Sequence, residues 1–229
     1  MRETLLVLVG WLLFGGSHLL LSHGGIRENL RRRLTPMGFN GIYALVALPA
    51  FWVLVTSYFY HRHAGPRLWD LRTSPPALHF VELIMLLSFF LMIASFAMPS
   101  PTSMDPRGRF EVRGLLRITR HPFLMGAALF GLAHCLPNGY PSDLAFFGGF
   151  TVFALAGAYH QDARKRREAA AEHQPFFEQT SVLPFAAILQ GKQPLVVRDL
   201  PWVAGLLGVA LALVIRWYHA KWFAIPLLG

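Results

Sequence analysis

The sequence predicts an all-α, polytopic transmembrane helix bundle of about six spans with both termini outside. Three observations carry that prediction. Hydrophobic residues make up 54% of the 229-residue chain and charged residues only 14%, where a soluble domain is about a quarter charged. The apolar residues gather in six runs, each close to the roughly 20 residues a helix needs to cross a bilayer. The basic residues gather in alternate loops between those runs, as orientation in a membrane requires.

In order, the runs are about 4–22, 38–60, 79–98, 121–137, 142–160 and 201–222. The opening stretch, MRETLLVLVGWLLFGGSHLLLSHGG, has the length of a signal peptide. It lacks a small-residue cleavage site and carries Trp11, His18 and His23, so it reads as a retained first span. Pro99, Pro101 and Pro106 break the helix leaving the third run. FEVRGLLRIT, residues 110–119, then pairs apolar residues with arginines at helical spacing and predicts a short interfacial helix. LPNGYPSD joins the fourth and fifth runs, and Pro137, Gly139 and Pro141 predict a tight helical hairpin. QDARKRREAAAEHQ, residues 161–174, extends the fifth helix beyond the bilayer by two or three turns. FFEQTSVLPFAAILQGK, residues 176–192, is too short and interrupted to span and is expected to be re-entrant or interfacial. The division expected is a core transmembrane domain over 1–195 and an additional C-terminal transmembrane helix over 196–229.

Loops 23–37, 99–120 and 161–200 hold fifteen of the 21 Lys and Arg residues, which places those loops in the cytoplasm. The net charge of +9 therefore reads as orientation and attraction to anionic membrane lipid, not as a nucleic-acid surface. The one cysteine, Cys135, excludes an internal disulfide framework, a CxxCH haem attachment and a Cys-rich metal site.

Ten histidines are many for such a chain. His61, His63, His79 and His219 lie near the outer surface and read as interfacial polarity, and His173 as exposed in a loop. His18, His23, His121, His134 and His160 lie in or at the ends of the first, fourth and fifth spans. An ionisable side chain there is a functional candidate, because hydrocarbon leaves it unsatisfied; bonding a carbonyl of a neighbouring helix is the structural alternative. Neutral imidazole ligates haem iron, copper or zinc, and two histidines from different helices suffice for a b-type haem. Arg117 and Arg120, at the approach to His121, suit haem propionates or, equally, the positive-inside anchor. Small residues on these spans (Ala127, Gly131, Ala154 and Ala158) read as helix contacts.

The stretches SHLLLSHGGIRENLRRRL, GLLRITRHPFLMGAALFGLAH, LPNGYPSDLAFFGGFTVFALAG, YHQDARKRR and TSVLPFAAILQGK resemble the NnrU family of bacterial membrane proteins, in order over most of residues 10–192. The resemblance implies a bacterial inner-membrane location and a part in nitric oxide or denitrification metabolism. It also implies kinship with 15-cis-zeta-carotene isomerase, a haem b protein that isomerises a cis double bond of an apolar small molecule by redox-gated bis-ligation. On that likeness His23, within His23-Gly24-Gly25, and His134 are the implied axial ligands. Depth keeps alternatives open. His134 lies 13 residues beyond His121, roughly 20 Å along a straight helix, whereas His23 is expected at the cytoplasmic end of the first span. His121 or His160 would be level with His23, and His18 lies about a turn further in.

A second likeness is to membrane methyltransferases of the isoprenylcysteine carboxyl type. It rests on Arg120-His121-Pro122 followed by KRREAAAEHQPFFEQTSVLPF, and implies S-adenosylmethionine held by His121 and Glu168. Here Arg167-Glu168 replaces the paired glutamates of that pattern. A non-enzymatic assembly factor is the third reading.

Overall fold

The computed structural model describes residues 1–101, 111–168 and 170–223, and among them it contains helices and no strands. The helices are α1 Arg2–Ser22, α2 Gly24–Arg33, α3 Pro36–His61, α4 Pro75–Ala97, α5 Leu115–Ile118, α6 Pro122–Cys135, α7 Pro141–Glu168, α8 Ala170–Gln179, α9 Ala186–Leu189 and α10 Trp202–Phe223, with a 3-10 turn at Val197–Asp199. Five of them, α1, α3, α4, α7 and α10, are long and apolar enough to cross a membrane. This is a helical membrane protein.

Proline sets the starts. α3, α4, α6 and α7 each open on one (Pro36, Pro75, Pro122 and Pro141), where its missing N–H costs nothing and its fixed φ suits the first turn. Thr35 completes the α3 start by accepting the Gly38 N–H at 3.1 Å. Two elements differ from the sequence expectation. Loop 23–37 contains α2, a ten-residue helix whose last turn, Arg31, Arg32 and Arg33, complements the helix dipole. The fourth run forms a helix of only 14 residues. The fifth run does continue outward, α7 reaching Glu168.

The chain divides into two compact units, and α7 contributes its residues as far as Gly149 to the first. Unit 1 comprises Met1–Asp70 and Asn138–Gly149. Its core holds Val7, Trp11, Leu54, Tyr58 and Phe146. α1 and α3 come close at Gly10, where the backbone of Leu54 fills the space a side chain would need. The Trp11 indole N–H donates to the Phe146 carbonyl at 3.1 Å, and Gly149 lies directly against that indole. Tyr58 stacks on Phe146 at 4.0 Å between ring centroids.

Unit 2 comprises Leu71–Pro137 and Phe150–Gly229. Its core gathers Leu91 and Ala94 of α4, Leu115 and Ile118 of α5, Met125 of α6, Ala158 of α7, and Val182. Small residues bring its helices together. Gly126 of α6 meets the Ser88 carbonyl of α4, and the Ser88 hydroxyl donates back to the Gly126 carbonyl at 2.8 Å. Gly131, Ala154 and Ala158 are buried, as helix contacts require. α10 docks on α4 through Gly205 against the Phe90 ring and Gly208 against the Phe89 backbone. Arg216 Nε then donates to Glu82 Oε1 at 2.8 Å on the same seam.

Two loop expectations are corrected. Phe110 lies outside the described residues, as do Pro106, Arg107 and Arg109. The rest of 110–119 is not an interfacial helix: α5 is a single turn whose Leu115, Leu116 and Ile118 are all buried. Residues 180–185 run alongside 118–120 instead. Arg120 N–H donates to Ser181 O, Phe185 N–H to Ile118 O, both at 2.8 Å, and the Thr119 hydroxyl donates to Val182 O at 2.7 Å. His173, expected to be exposed, is buried.

Candidate functional site

In unit 2 the Arg120-His121-Pro122 motif closes on a carboxylate of α7. Pro122 excludes helix from the residue before it, so His121 sits at φ −126, ψ 62 immediately before α6. From there its Nε2–H donates to Asp162 Oδ1 at 2.8 Å. Arg120 Nη1 donates to Asp162 Oδ2 at 3.1 Å, and its Nη2 to Thr180 O at 2.6 Å. His121 is 2% exposed, and Arg120 and Asp162 are each 6% exposed. Phe177 lies under the guanidinium at 5.0 Å and under that of Arg166 at 4.0 Å, a cation–π arrangement. Burial pulls Arg120 below its ordinary pKa, Asp162 pulls it back up, and Arg166 lowers it again. A carboxylate only accepts, so the hydrogen of the shared contact is on Nε2 of His121.

Arg120 and His121 are thereby engaged within the chain. Arg117 is engaged too: its Nε donates to Val112 O at 3.1 Å, and its guanidinium lies 3.8 Å from Asp199. The Glu168 side chain, which the methyltransferase likeness pairs with His121, lies outside the described residues.

His134 belongs to the same unit, near the C-terminal end of α6. Its Nδ1–H donates to the Phe130 carbonyl one turn earlier at 2.9 Å, and the two rings pack at 4.3 Å. That bond places the ring lone pair on Nε2, the tautomer and ring orientation a metal-ligating histidine uses. His160 is half-buried on α7, two residues before Asp162.

Unit 1 holds the other two candidates. His18 lies among aromatic rings, 4.5 Å from Phe14 and 4.9 Å edge-on to Tyr43. His23 occupies the break between α1 and α2, with extended backbone at φ −65, ψ 134, and is exposed. Among the described residues, no three His, Cys, Asp or Glu side chains form a group able to hold a bare metal ion.

The family model described as NnrU protein matches residues 6–227. The chain belongs to the NnrU family. This NnrU-family chain is also similar to the chloroplastic 15-cis-zeta-carotene isomerase of Arabidopsis thaliana, 29% identical over 178 residues, 76% of this chain and 48% of that protein. It is 28% identical over 172 residues to the enzyme of the same name from Zea mays, 74% of this chain and 47% of the other. The chain spans about half the length of the curated relatives it matches. No solved structure matches it.

Two carboxylates escaped the sequence reading as site residues. Asp162 was visible only as an acid near His160. Asp143, fully buried in unit 1, accepts from the Tyr58 hydroxyl at 3.1 Å and from the His63 ring at 2.7 Å. The one signal in the sequence was an acid at the mouth of an apolar run, where lone charges are costly.

Proposed function

We propose that this NnrU-family protein binds haem b with His134 as a ligand and acts as a redox-gated cis–trans isomerase on an apolar polyene. The similarity to two 15-cis-zeta-carotene isomerases over about three quarters of the chain supports the reaction class. The observation that carries the ligand assignment is the His134 Nδ1–H bond to Phe130, because it turns Nε2 into the donor atom iron takes. When bound, haem b supplies a centre that changes oxidation state and can exchange electron density with a conjugated chain.

The protein's own residues do the rest. Phe130 fixes the tautomer and orientation of His134. The apolar surface of α6 offers a polyene an environment without competing polar groups. The Arg120–His121–Asp162 cluster holds residues 180–185 against the start of α6 and so fixes the helix that carries His134. The three basic loops support an orientation with those loops on the cytoplasmic side of a bacterial inner membrane.

The reading is tested by supplying membranes containing the protein with a cis polyene and separating the isomers chromatographically. Conversion is expected only under reducing conditions and is expected to be lost in His134→Ala. Conversion that is indifferent to reductant and to His134→Ala would overturn the reading.

A further inference from the structure

Unit 1 carries a second polar cluster that neither the haem reading nor the helix packing uses. The Asp143 carboxylate is fully buried. Its Oδ1 accepts the Tyr58 hydroxyl at 3.1 Å and the His63 backbone N–H at 3.0 Å, and its Oδ2 accepts the His63 ring Nδ1–H at 2.7 Å. The His63 side chain is itself 27% exposed. One ring nitrogen is thus fixed on a buried carboxylate while the ring reaches the surface. His63 also has φ +56, in the left-handed region. A histidine held there is strained, and strain of this kind persists where the surroundings over-determine it. Here they do, because Ala64 N–H donates to the Ser142 hydroxyl at 2.8 Å and Leu68 N–H to Gly139 O at 2.8 Å.

The geometry points to a proton-binding dyad of His63 and Asp143, whose ligand is the proton of the aqueous phase and whose exchange atom is His63 Nε2. With the ring neutral, the three groups that donate to this buried carboxylate, the Tyr58 hydroxyl, the His63 backbone N–H and the His63 Nδ1–H, carry no charge. When Nε2 takes a proton from water, the imidazolium and the carboxylate become a neutral pair at 2.7 Å. No bond to carbon changes and nothing is oxidised; one proton moves between water and Nε2, and the Nδ1 proton stays on the shared contact. A carboxylate behind an imidazole holds the tautomer and stabilises the charged ring, the arrangement general acid–base sites use.

Other titratable or charged groups lie nearby among the described residues. On the same loop are Arg62 and the Arg67–Asp70 pair. On α3, His61 donates its Nδ1–H to Ser57 O at 2.7 Å and interacts electrostatically with Glu3 of α1. Tyr140, in the turn before α7, places its ring 5.4 Å from that of His63.

The bland account is that His63 only staples the loop to α7. His63→Asn separates the two, because asparagine tolerates the left-handed region and its amide can still donate to Asp143, but it cannot bind a proton. The full chain would be prepared in lipid nanodiscs with nitrogen-15 histidine and carboxyl-labelled aspartate, and followed by NMR from about pH 5 to 9, the range in which histidine titrates. The expected result is a histidine, distinguished from the others by its coupling to an aspartate, whose Nδ1 stays protonated throughout while Nε2 takes up a proton. One aspartate carboxyl carbon should shift at the same midpoint. Both responses should vanish in His63→Asn, and the histidine midpoint should move in Asp143→Asn. If the His63 ring titrates with no response at any aspartate, or if Asp143→Asn leaves its midpoint where it was, the dyad is only a staple. The wild-type titration decides the matter even where a variant fails to fold.

Discussion

Replacing Asp162 with alanine is expected to destabilise the protein by about 3–5 kcal/mol, the cost of leaving a buried ion pair half broken. In unit 2 both carboxylate oxygens are in use, Oδ1 by His121 and Oδ2 by Arg120. Alanine would leave a guanidinium and an imidazole N–H facing each other in a site nearly closed to water. The Thr180 carbonyl still accepts from Arg120, but a carbonyl carries no countercharge. Thermal unfolding in detergent should show a midpoint lower by on the order of 10 °C for a chain of this size. Asp162→Asn keeps one acceptor oxygen and loses the charge, so its loss should be smaller. Arg120→Met combined with Asp162→Leu removes both charges, and should recover part of what Asp162→Ala loses, because the penalty lies in the unpaired partner. A wild-type midpoint in Asp162→Ala would mean that the cluster is open to water and contributes little.

The second large effect is expected at Gly149→Leu, in unit 1. A β-carbon at Gly149 would lie 2.1 Å from two atoms of the Trp11 indole ring. Trp11 is buried and its ring N–H is committed to the Phe146 carbonyl. Moving the ring therefore overpacks the core and breaks that bond as well. Overpacking of this kind costs about 1–3 kcal/mol and a lost buried hydrogen bond about 1–3 more. The checks are the unfolding midpoint and Trp11 fluorescence, read in a chain whose other tryptophans are replaced by phenylalanine. Trp11→Phe combined with Gly149→Ala should be tolerated better than Gly149→Leu, since less volume is forced into the same space. Equal stability of Gly149→Leu and wild type would show that α1 and α7 do not pack as described.

How far the sequence reaches is visible in these two sites. Long apolar runs reveal helices because hydrocarbon demands them, and α1, α3, α4, α7 and α10 all lie where such runs predict. α2 was invisible to the same test: GGIRENLRRR has no apolar stripe, and only its good helix formers and terminal arginines mark it. α6 came out shorter than its run, since Pro122 and Pro137 bracket it. The expectation of an interfacial helix at 110–119 failed for a different reason. Apolar residues at helical spacing suit either a membrane surface or a protein core. What decides between them is the irregular segment 180–185, some 60 residues away, whose backbone pairs with residues 118–120.

The sites divide in the same way. His134 and His121 stood out as lone imidazoles in oily surroundings. The sequence could not pair His121 with Asp162, 41 residues on, or His63 with Asp143, 80 residues on. Such partners are set by tertiary packing, and nothing local announces them. Nothing in the local sequence separates His63 from ordinary interfacial polarity; the buried carboxylate of Asp143 beneath its ring does.

The visible absorption spectrum of the detergent-purified protein, after growth with a haem precursor, tests the iron assignment most directly. A Soret band is predicted in the wild type, absent in His134→Ala, and retained in His121→Ala, whose ring serves Asp162. A protein that stays colourless after reconstitution with haem, or a band that survives His134→Ala, would contradict the account.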